Sequence, residues 1–271
     1  MTQGMTQGMT EGSVDLSLII PCLNEEQNVW MLVQHLDELL DDYGIAAEIL
    51  IVDDCSDDYT FREAYRLEAK FPRVRALHKG LPRGIGNAIM FGVDHAVGGT
   101  GVVVMGDLVD PLEALPDMHR KIREGFHLCL ISRYARPEDS RSIPTTYRFY
   151  QWCFRRALKW MVGMNVKDST YAFRAFDLDF IRSLKLNSSG FEISPEMTIK
   201  SYLAGGRITN LPGRQGKRLH GESKFAFSRE GWGYAKVLFA GLGQRLSRRS
   251  QPGSFTPSMS SEPVGGQVEA R

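Results

Sequence analysis

The chain has 271 residues, 42% hydrophobic and 24% charged, with a formal net charge of +1. That is enough apolar material for one sizeable core, and the near-neutral balance excludes the global positive field of a nucleic-acid binder. A membrane span needs roughly 18 uninterrupted apolar residues, and the best window, "WGYAKVLFAGLG", is short and carries Lys236.

The opening repeat "MTQGMTQGMTEG" has neither the basic start nor the apolar centre of a signal peptide, so residues 1–15 read as a disordered leader. From Leu16, short apolar runs alternate with segments of helical period. "LSLIIP" predicts a strand. Val29, Leu32, Val33, Leu36, Leu39 and Leu40 then fall on one helix face at three- and four-residue spacing. "EILIVDD" predicts a second strand, followed by a helix near Tyr59 to Ala69, a short strand "VRAL" and a helix from about Gly84 to Ala96. "GVVVMGD" and "FHLCLISRY" add two strands around a helix near Leu112 to Glu124. Continuous apolar strands alternating with amphipathic helices predict an α/β fold with a mostly parallel central sheet and helices on both faces.

The second half is less regular. Tyr147, Tyr150, Trp152, Phe154, Leu158, Trp160 and Met161 make an aromatic-rich helical segment, and "DSTYAFRAF" leads into another helix. A helix near Pro195 to Ala204 precedes a strand, "RITNLP". A basic loop, "RQGKRLHGESKF", and an amphipathic helix from about Arg229 to Arg249 follow. Residues 16–226 form the expected catalytic domain and 227–249 a basic C-terminal helix; residues 250–271, rich in Ser, Pro and Gly, form an expected disordered tail. Cys22, Cys55, Cys129 and Cys153 are widely spaced and form no C-x-x-C pair. They read as reduced structural thiols, which points to the cytoplasm.

In such sheets ligands gather outside the carboxyl ends of the strands. The residues there are Pro21-Cys22-Leu23-Asn24-Glu25, Asp53 to Asp58, Asp107 and Ser132-Arg133-Tyr134. Asp53 and Asp54 can accept hydrogen bonds from a ribose or a nucleobase, whereas Ser56 and Asp57 equally suit a helix cap. Asp107 ends its valine-rich strand as a single acid, where a metal site usually offers a pair.

Taken in order, "SLIIPCLNEEQNV", "EILIVDDCSDD", "RGIGNAIMFGVDHA", "VVVMGDLVDPLE", "ISRY", "VKDSTYAFRAF" and "GKRLHGESKF" resemble the inverting glycosyltransferases of family 2. The resemblance is to the polyprenyl-phosphate branch, which includes dolichyl-phosphate mannosyltransferase, and it runs from about Ser17 to Phe225. It implies a nucleotide-diphospho-sugar transferase (GT-A-like) fold. It implies that Pro21, Asn24 and Glu25, with Asp53 and Asp54, hold the nucleoside of a sugar nucleotide, and that Arg83 and Gly84 lie near the same nucleoside. It implies that Asp107 ligates Mg²⁺ or Mn²⁺ on the diphosphate, and that Arg133, Arg218 and Lys224 face the phosphate of a lipid acceptor. From spacing alone, Arg133 reads equally as a surface cation, and Arg218 and Lys224 as part of a solvated basic loop.

The sequence departs from the family where Asp107 stands. The family pattern is Asp-x-Asp with Gln two residues after the second acid; Met105 and Val109 occupy those places here and cannot serve as hard oxygen donors. The ion site is therefore expected to be weak or incomplete. Tyr171-Ala172 likewise replaces the frequent Ser-Gly before Phe-Arg.

A phosphate acceptor tolerates these changes better than a sugar hydroxyl does. A phosphate monoester has a second pKa of about 6, so its oxygens are already nucleophilic anions near neutrality and need no general base. The expected reaction is transfer of a hexose from a GDP- or UDP-sugar to a polyprenyl phosphate. The C-terminal helix, with Trp232 and a basic edge, suits peripheral contact with the cytoplasmic membrane face as well as packing on the domain. Two other readings stay open: a soluble or protein hydroxyl acceptor, with Asp107, Asp110 or Glu192 as base, and a degenerate, non-catalytic sugar-nucleotide binder.

Overall fold

The computed structural model describes residues 14–136, 139–140, 143–216 and 227–249. The leader ahead of residue 14, the loop holding Arg218 and Lys224, and the tail from residue 250 lie outside the described residues.

Side-chain alternation builds the central sheet. β1 (Leu16–Cys22) buries Leu16, Leu18 and Ile20 in one core and Ile19 in the other, because successive strand side chains point to opposite faces. In β2 (Ala47–Asp53), Ile49 and Ile51 likewise oppose Leu50 and Val52. With β3 (Val74–His78), β4 (Thr100–Val103), β5 (Leu128–Ser132), β6 (Arg174–Asp177) and β7 (Ile208–Pro212), the strands order as β3-β2-β1-β4-β6-β5-β7. All neighbours pair parallel except β6, which runs antiparallel between β4 and β5 with Ala175 opposite both Val102 and Cys129. A mostly parallel α/β sheet is thus borne out.

One core lies beneath α1 (Val29–Asp42), α2 (Thr60–Lys70) and α4 (Leu115–Arg123). The six apolar residues predicted for the first helix face are the ones α1 buries. Each fully buried Leu, Ile or Val contributes about 1.5–3 kcal/mol relative to an exposed one, so this stripe alone fixes the helix on the sheet. The second core lies beneath α3 (Ile85–His95), α6 (Leu178–Ser183), α7 (Ile193–Leu203), the end of α5 (Thr145–Ala157) with its π-helical continuation Leu158–Val162, and α8 (Phe227–Arg249).

One reading changes and another is sharpened. "YAFRAF" supplies strand β6 as well as the run-up to α6; its polar centre, Arg174, hid a strand that is buried throughout its first three residues. In α8, Val237 and Leu238 are buried and Gly241 lies where a Cβ would come within 2.8 Å of Ile199, whereas Trp232, Phe239 and Leu246 are exposed. Packing therefore claims one face of that helix. Among the described residues no helix is long and apolar enough to cross a membrane.

Candidate active site

The carboxyl ends of β1, β2 and β4 share a conformational signature. Asn24, Cys55 and Leu108, which follow those strands, have φ of 54°, 58° and 60°. Side chains other than glycine seldom adopt this left-handed region, and such residues gather at functional sites.

The loops after β1 and β2 are laced together. The Asn24 amide donates to Ser56 Oγ at 2.9 Å, the Asp57 amide to Asn24 Oδ1 at 2.8 Å, and the Glu25 amide to Thr60 Oγ1 at 2.8 Å. Glu25 is itself buried and accepts from Asn28 Nδ2 at 2.7 Å. Asn24 and Glu25 therefore shape the rim of the predicted nucleoside pocket through the backbone of the next loop, beside the buried Pro21.

Asp53 and Asp54 are both buried, and each has a basic partner from the end of β3. Asp53 Oδ2 lies 2.8 Å from His78 Nδ1 and its Oδ1 accepts from the Ser56 amide at 3.2 Å. Asp54 Oδ1 lies 2.8 Å from Lys79 Nζ, and Asp54 Oδ2 accepts from the Gly84 amide at 2.7 Å. Lys79 escaped the sequence reading because a lysine after an edge strand looks like any surface cation; its side chain is only 6% exposed. Arg83 reaches back to Asp57 Oδ1 and to the Cys55 carbonyl, both at 2.5 Å, which holds the Asp57 carboxyl below its ordinary range. The structure thus brings Asp53, Asp54, Arg83 and Gly84 together as expected. It also gives Gly84 a protein reason for being small: a Cβ there would sit 2.4 Å from the Ser189 carbonyl oxygen, and one at Gly86 would sit 2.2 Å from that of Ser188. The loop before α7 presses on the start of α3.

At the end of β4, Asp107 is buried, and Gly106 lets the turn close on β1: a Cβ there would lie 3.2 Å from Cys22 Sγ and 3.3 Å from Glu25 Cγ. Asp110 holds this turn. Its Oδ2 accepts from the Met105 amide and its Oδ1 from the Tyr171 hydroxyl, both at 2.7 Å. Burial pushes Asp110 up to about 7 against those two hydrogen bonds, and neighbouring Asp107 adds to the rise. Tyr171, a departure from the family pattern, therefore has a definite task here.

Arg133 is not the surface cation that spacing allowed. It is 5% exposed, with Nε donating to Asp168 Oδ2 at 2.8 Å and one terminal nitrogen donating to Asp168 Oδ1 and Thr170 Oγ1, each at 3.3 Å. Its planar fork lies over the Tyr171 ring, 4.5 Å from the centroid, and the other terminal nitrogen donates to Gln215 Oε1 at 3.3 Å. Burial would raise the Asp168 carboxyl, but Arg133 more than reverses it and the acid stays ionised. Gln151 joins the cluster through Thr170. The Tyr134 hydroxyl is buried without a hydrogen-bond partner among the described residues, and burial raises its pKa, so it remains a neutral donor. Arg174, fully buried and lowered to about 10 by burial, donates to the carbonyls of Ser194, Ser169 and Tyr171 and stitches β6 to α7.

Arg218 and Lys224 lie outside the described residues. Glu192 accepts from the Gly190 amide at 3.3 Å and packs against Gly233 of α8, so it serves the α7–α8 contact. For a divalent ion the donor set is thin. No group of three or more His, Cys, Asp or Glu side chains suited to a metal occurs among the described residues, and both oxygens of Asp110 are already engaged. These residues do not make an ion site by themselves; Asp107 can offer one ligand to an ion that arrives on a diphosphate.

The paired acids after β2 and the further acid after β4 lie at the carboxyl ends of parallel strands, where α/β sheets hold ligands. The family model for glycosyl transferase family 2 matches residues 17–184, and the chain belongs to that family. It is 31% identical over 216 residues to a dolichol-phosphate mannosyltransferase of Pyrococcus furiosus, covering 77% of this chain and 58% of that protein. The chain thus spans little more than half the length of that relative. It is 28% identical to an undecaprenyl-phosphate mannosyltransferase of Micrococcus luteus, covering 84% of this chain and 94% of that one. Among solved structures, glucosyl-3-phosphoglycerate synthase of Mycobacterium tuberculosis in complex with Mn²⁺, UDP and phosphoglyceric acid superposes with a TM-score of 0.61 at 19% identity, covering 89% of this chain and 80% of that one. At that identity the likeness shows the fold. The protein is a family 2 glycosyltransferase with a GT-A fold.

Proposed function

We propose that this glycosyltransferase moves a hexose from a GDP- or UDP-sugar to a polyprenyl phosphate with inversion. A phosphate oxygen of the acceptor attacks the anomeric carbon; the bond from that carbon to the donor's diphosphate oxygen breaks, and the nucleoside diphosphate leaves with the electron pair. No general base is required, because the acceptor is already an anion at neutral pH. Pro21, Asn24, Glu25, Asp53, Asp54, Arg83 and Gly84 are assigned to the nucleoside side, Asp107 to the diphosphate, and Arg133, Arg218 and Lys224 to the acceptor phosphate. Tyr134 joins them as a neutral donor.

The observation that carries the acceptor assignment is a groove of about 320 Å³ between α5 and α8, lined largely by apolar atoms of Tyr150, Phe154, Ala157, Tyr234, Ala235 and Leu238. Tyr147 and Gln151 also line it, and these same residues touch the Arg133 cluster: Arg133 lies 5.5 Å from the Tyr147 ring and Gln151 donates to Thr170. An apolar groove whose lining adjoins the buried Arg133 cluster suits the chemistry of a lipid phosphate. The polyprenyl-phosphate acceptors named for the relatives support the same reading. Work on such an acceptor belongs at the cytoplasmic membrane face, with α8 as a peripheral contact.

The test offers a panel of nucleotide sugars with polyprenyl phosphate or with soluble hydroxyl acceptors, and identifies products by mass spectrometry. A glycosylated lipid phosphate of inverted configuration is the expected result. Exclusive transfer to a hydroxyl, with a pH profile set by Asp110, would replace the acceptor assignment. Nucleotide binding without any turnover would reduce the chain to a binder.

A further inference from the structure

Glu196 stands on α7, 6% exposed, and takes no part in the transfer chemistry assigned above. Its two oxygens grip the loop ahead of that helix: the Asn187 amide donates to both at 3.1 Å and the Ser188 amide to Oε2 at 2.7 Å. Lys200, one turn further along α7, lies 2.7 Å from Oε1 and donates from the same ammonium to the Lys185 carbonyl at 2.8 Å. Burial alone would raise the Glu196 carboxyl, but Lys200 and Ser188 more than reverse this and hold it below its ordinary range. Successive amides aimed at one ionised carboxylate make strong, charge-assisted bonds. The loop is thus tied to α7 at Lys185, Asn187 and Ser188.

What this loop touches next is the donor side. The Ser189 carbonyl accepts from the Gly86 amide at 2.8 Å, which satisfies one of the donors that the start of α3 leaves open. The contact is close enough that only glycine fits at 84 and 86. Gly84 in turn donates to Asp54, and Lys79 links Asp54 to the carbonyls of Gly80 and Pro82. The segment 79–86 therefore has two supports, Asp54 on the sheet and the Ser188–Ser189 backbone opposite. The second support is a loop, and it can place α3 only as accurately as it is itself held. A different use of the same kind of bond lies nearby: Asp177 accepts from the Phe180 amide at 2.7 Å, and there it closes the first turn of α6.

We infer that Glu196 is a positioning residue for the sugar-nucleotide donor: through the Asn187–Ser189 backbone it sets the 79–86 segment against which the nucleoside binds. The inference rests on the donor-side assignment of Asp54, Arg83 and Gly84 made above. It adds to that wall an acid that reaches the nucleoside only through another loop.

Titration calorimetry of the full chain with GDP and with UDP, each in the presence of Mn²⁺, tests it. For whichever nucleotide the parent binds, Glu196→Ala should weaken affinity about tenfold and Lys200→Met about threefold. Glu196→Gln keeps one oxygen for the amides and should fall between the parent and Glu196→Ala; being isosteric, it carries the test if the alanine variant does not fold. In transfer to polyprenyl phosphate the donor KM should rise by the same factors, with kcat and the acceptor KM within about twofold of the parent, as expected when binding to an unreacting part of the substrate is lost. Asp177→Ala is the control, expected to lower the unfolding midpoint while leaving nucleotide affinity unchanged. Parent-like affinity in the Glu196 variants, or an equal loss in Asp177→Ala, would overturn the inference and leave Glu196 as a brace of the fold. The two readings fail separately. A parent that binds neither nucleotide removes the donor site and the inference with it, whereas binding that weakens as expected without any lipid product refutes the transfer reaction alone.

Discussion

The ends of β2 and β4 each present two buried carboxylates, and they hold them in opposite ways. After β2, Asp53 and Asp54 meet His78 and Lys79, consecutive residues at the end of β3, and Asp54 also accepts the Gly84 amide. After β4, Asp110 is met by an amide and a phenol, and burial lifts it to about 7. The first arrangement is a fixed wall in which each carboxylate has a side-chain partner, suited to the neutral parts of a nucleoside. The second lowers the negative charge of the strand end near neutral pH, as does Met105 where an acid is usual. In the proposed reaction a donor diphosphate approaching this edge would meet less repulsion, which partly offsets the loss of metal ligands.

The contrast is broken most severely at the cation beside the β4 end, where Arg133 lies over the Tyr171 ring. Arg133→Met should destabilise the fold by about 3–5 kcal/mol, because Asp168 is left buried and ionised without its partner; denaturant unfolding measures it. Asp57→Ala, which removes only the exposed partner of Arg83, should leave the unfolding midpoint unchanged. Equal effects would mean that Arg133 is not the anchor its burial indicates.

At the β4 end, Asp107→Asn should lower turnover by about 100-fold while changing nucleotide affinity little, since its carboxylate would hold the ion that meets the charge developing on the leaving diphosphate. Calorimetry should detect Mn²⁺ binding only with nucleoside diphosphate present, and Met105→Asp should lower the metal concentration needed for half-maximal activity. If excess chelator and Asp107→Asn both leave the rate intact, side-chain cations alone must meet the leaving-group charge.

At the β2 end the expected effect is smaller. Asp54→Asn keeps an acceptor for the Gly84 amide but removes the charge opposite Lys79, so the 79–84 loop loses one charge-assisted contact. Such a contact is worth roughly 1.5–3 kcal/mol, and GDP or UDP affinity by calorimetry should fall about tenfold or somewhat more. Unchanged affinity would remove this wall from the donor site.

How far the sequence reveals these two ends follows from their chemistry. Strands β1, β2, β4 and β5 were legible as apolar runs, and the acids were legible because ligands collect after such runs. Their partners were not. Lys79 and Asp168 are ordinary charged letters until folding buries them against Asp54 and Arg133, and Tyr171 lies 61 residues from the acid it bonds. β6 escaped because Arg174 interrupts its apolar pattern, yet that arginine is buried and finds carbonyl acceptors on α7 and the preceding loop. Pattern reports burial of apolar faces well; it reports buried ion pairs poorly, since nothing local distinguishes them from surface charge.

The mildest intervention separates shape from charge at the β4 end. Tyr171→Phe keeps the ring beneath Arg133 and removes only the hydroxyl that bonds Asp110. That hydrogen bond favours the ionised carboxylate, so its loss should raise the Asp110 pKa above about 7, by roughly one unit for a bond of 1–1.5 kcal/mol. The sign of the linkage follows. Asp110 binds its proton more tightly folded than unfolded, so its contribution to stability is fully present below the unfolded value of 3.8 and is lost as pH rises through the folded value. In the parent that loss should finish just above neutrality, and in Tyr171→Phe it should continue about one pH unit higher. Asp110→Asn should flatten the profile altogether. Unfolding free energies from pH 5 to 9 for the three proteins provide the comparison. Coincident profiles for parent and Tyr171→Phe would mean that Met105 and burial alone set the state of Asp110, and that Tyr171 is there only to carry the Arg133 guanidinium.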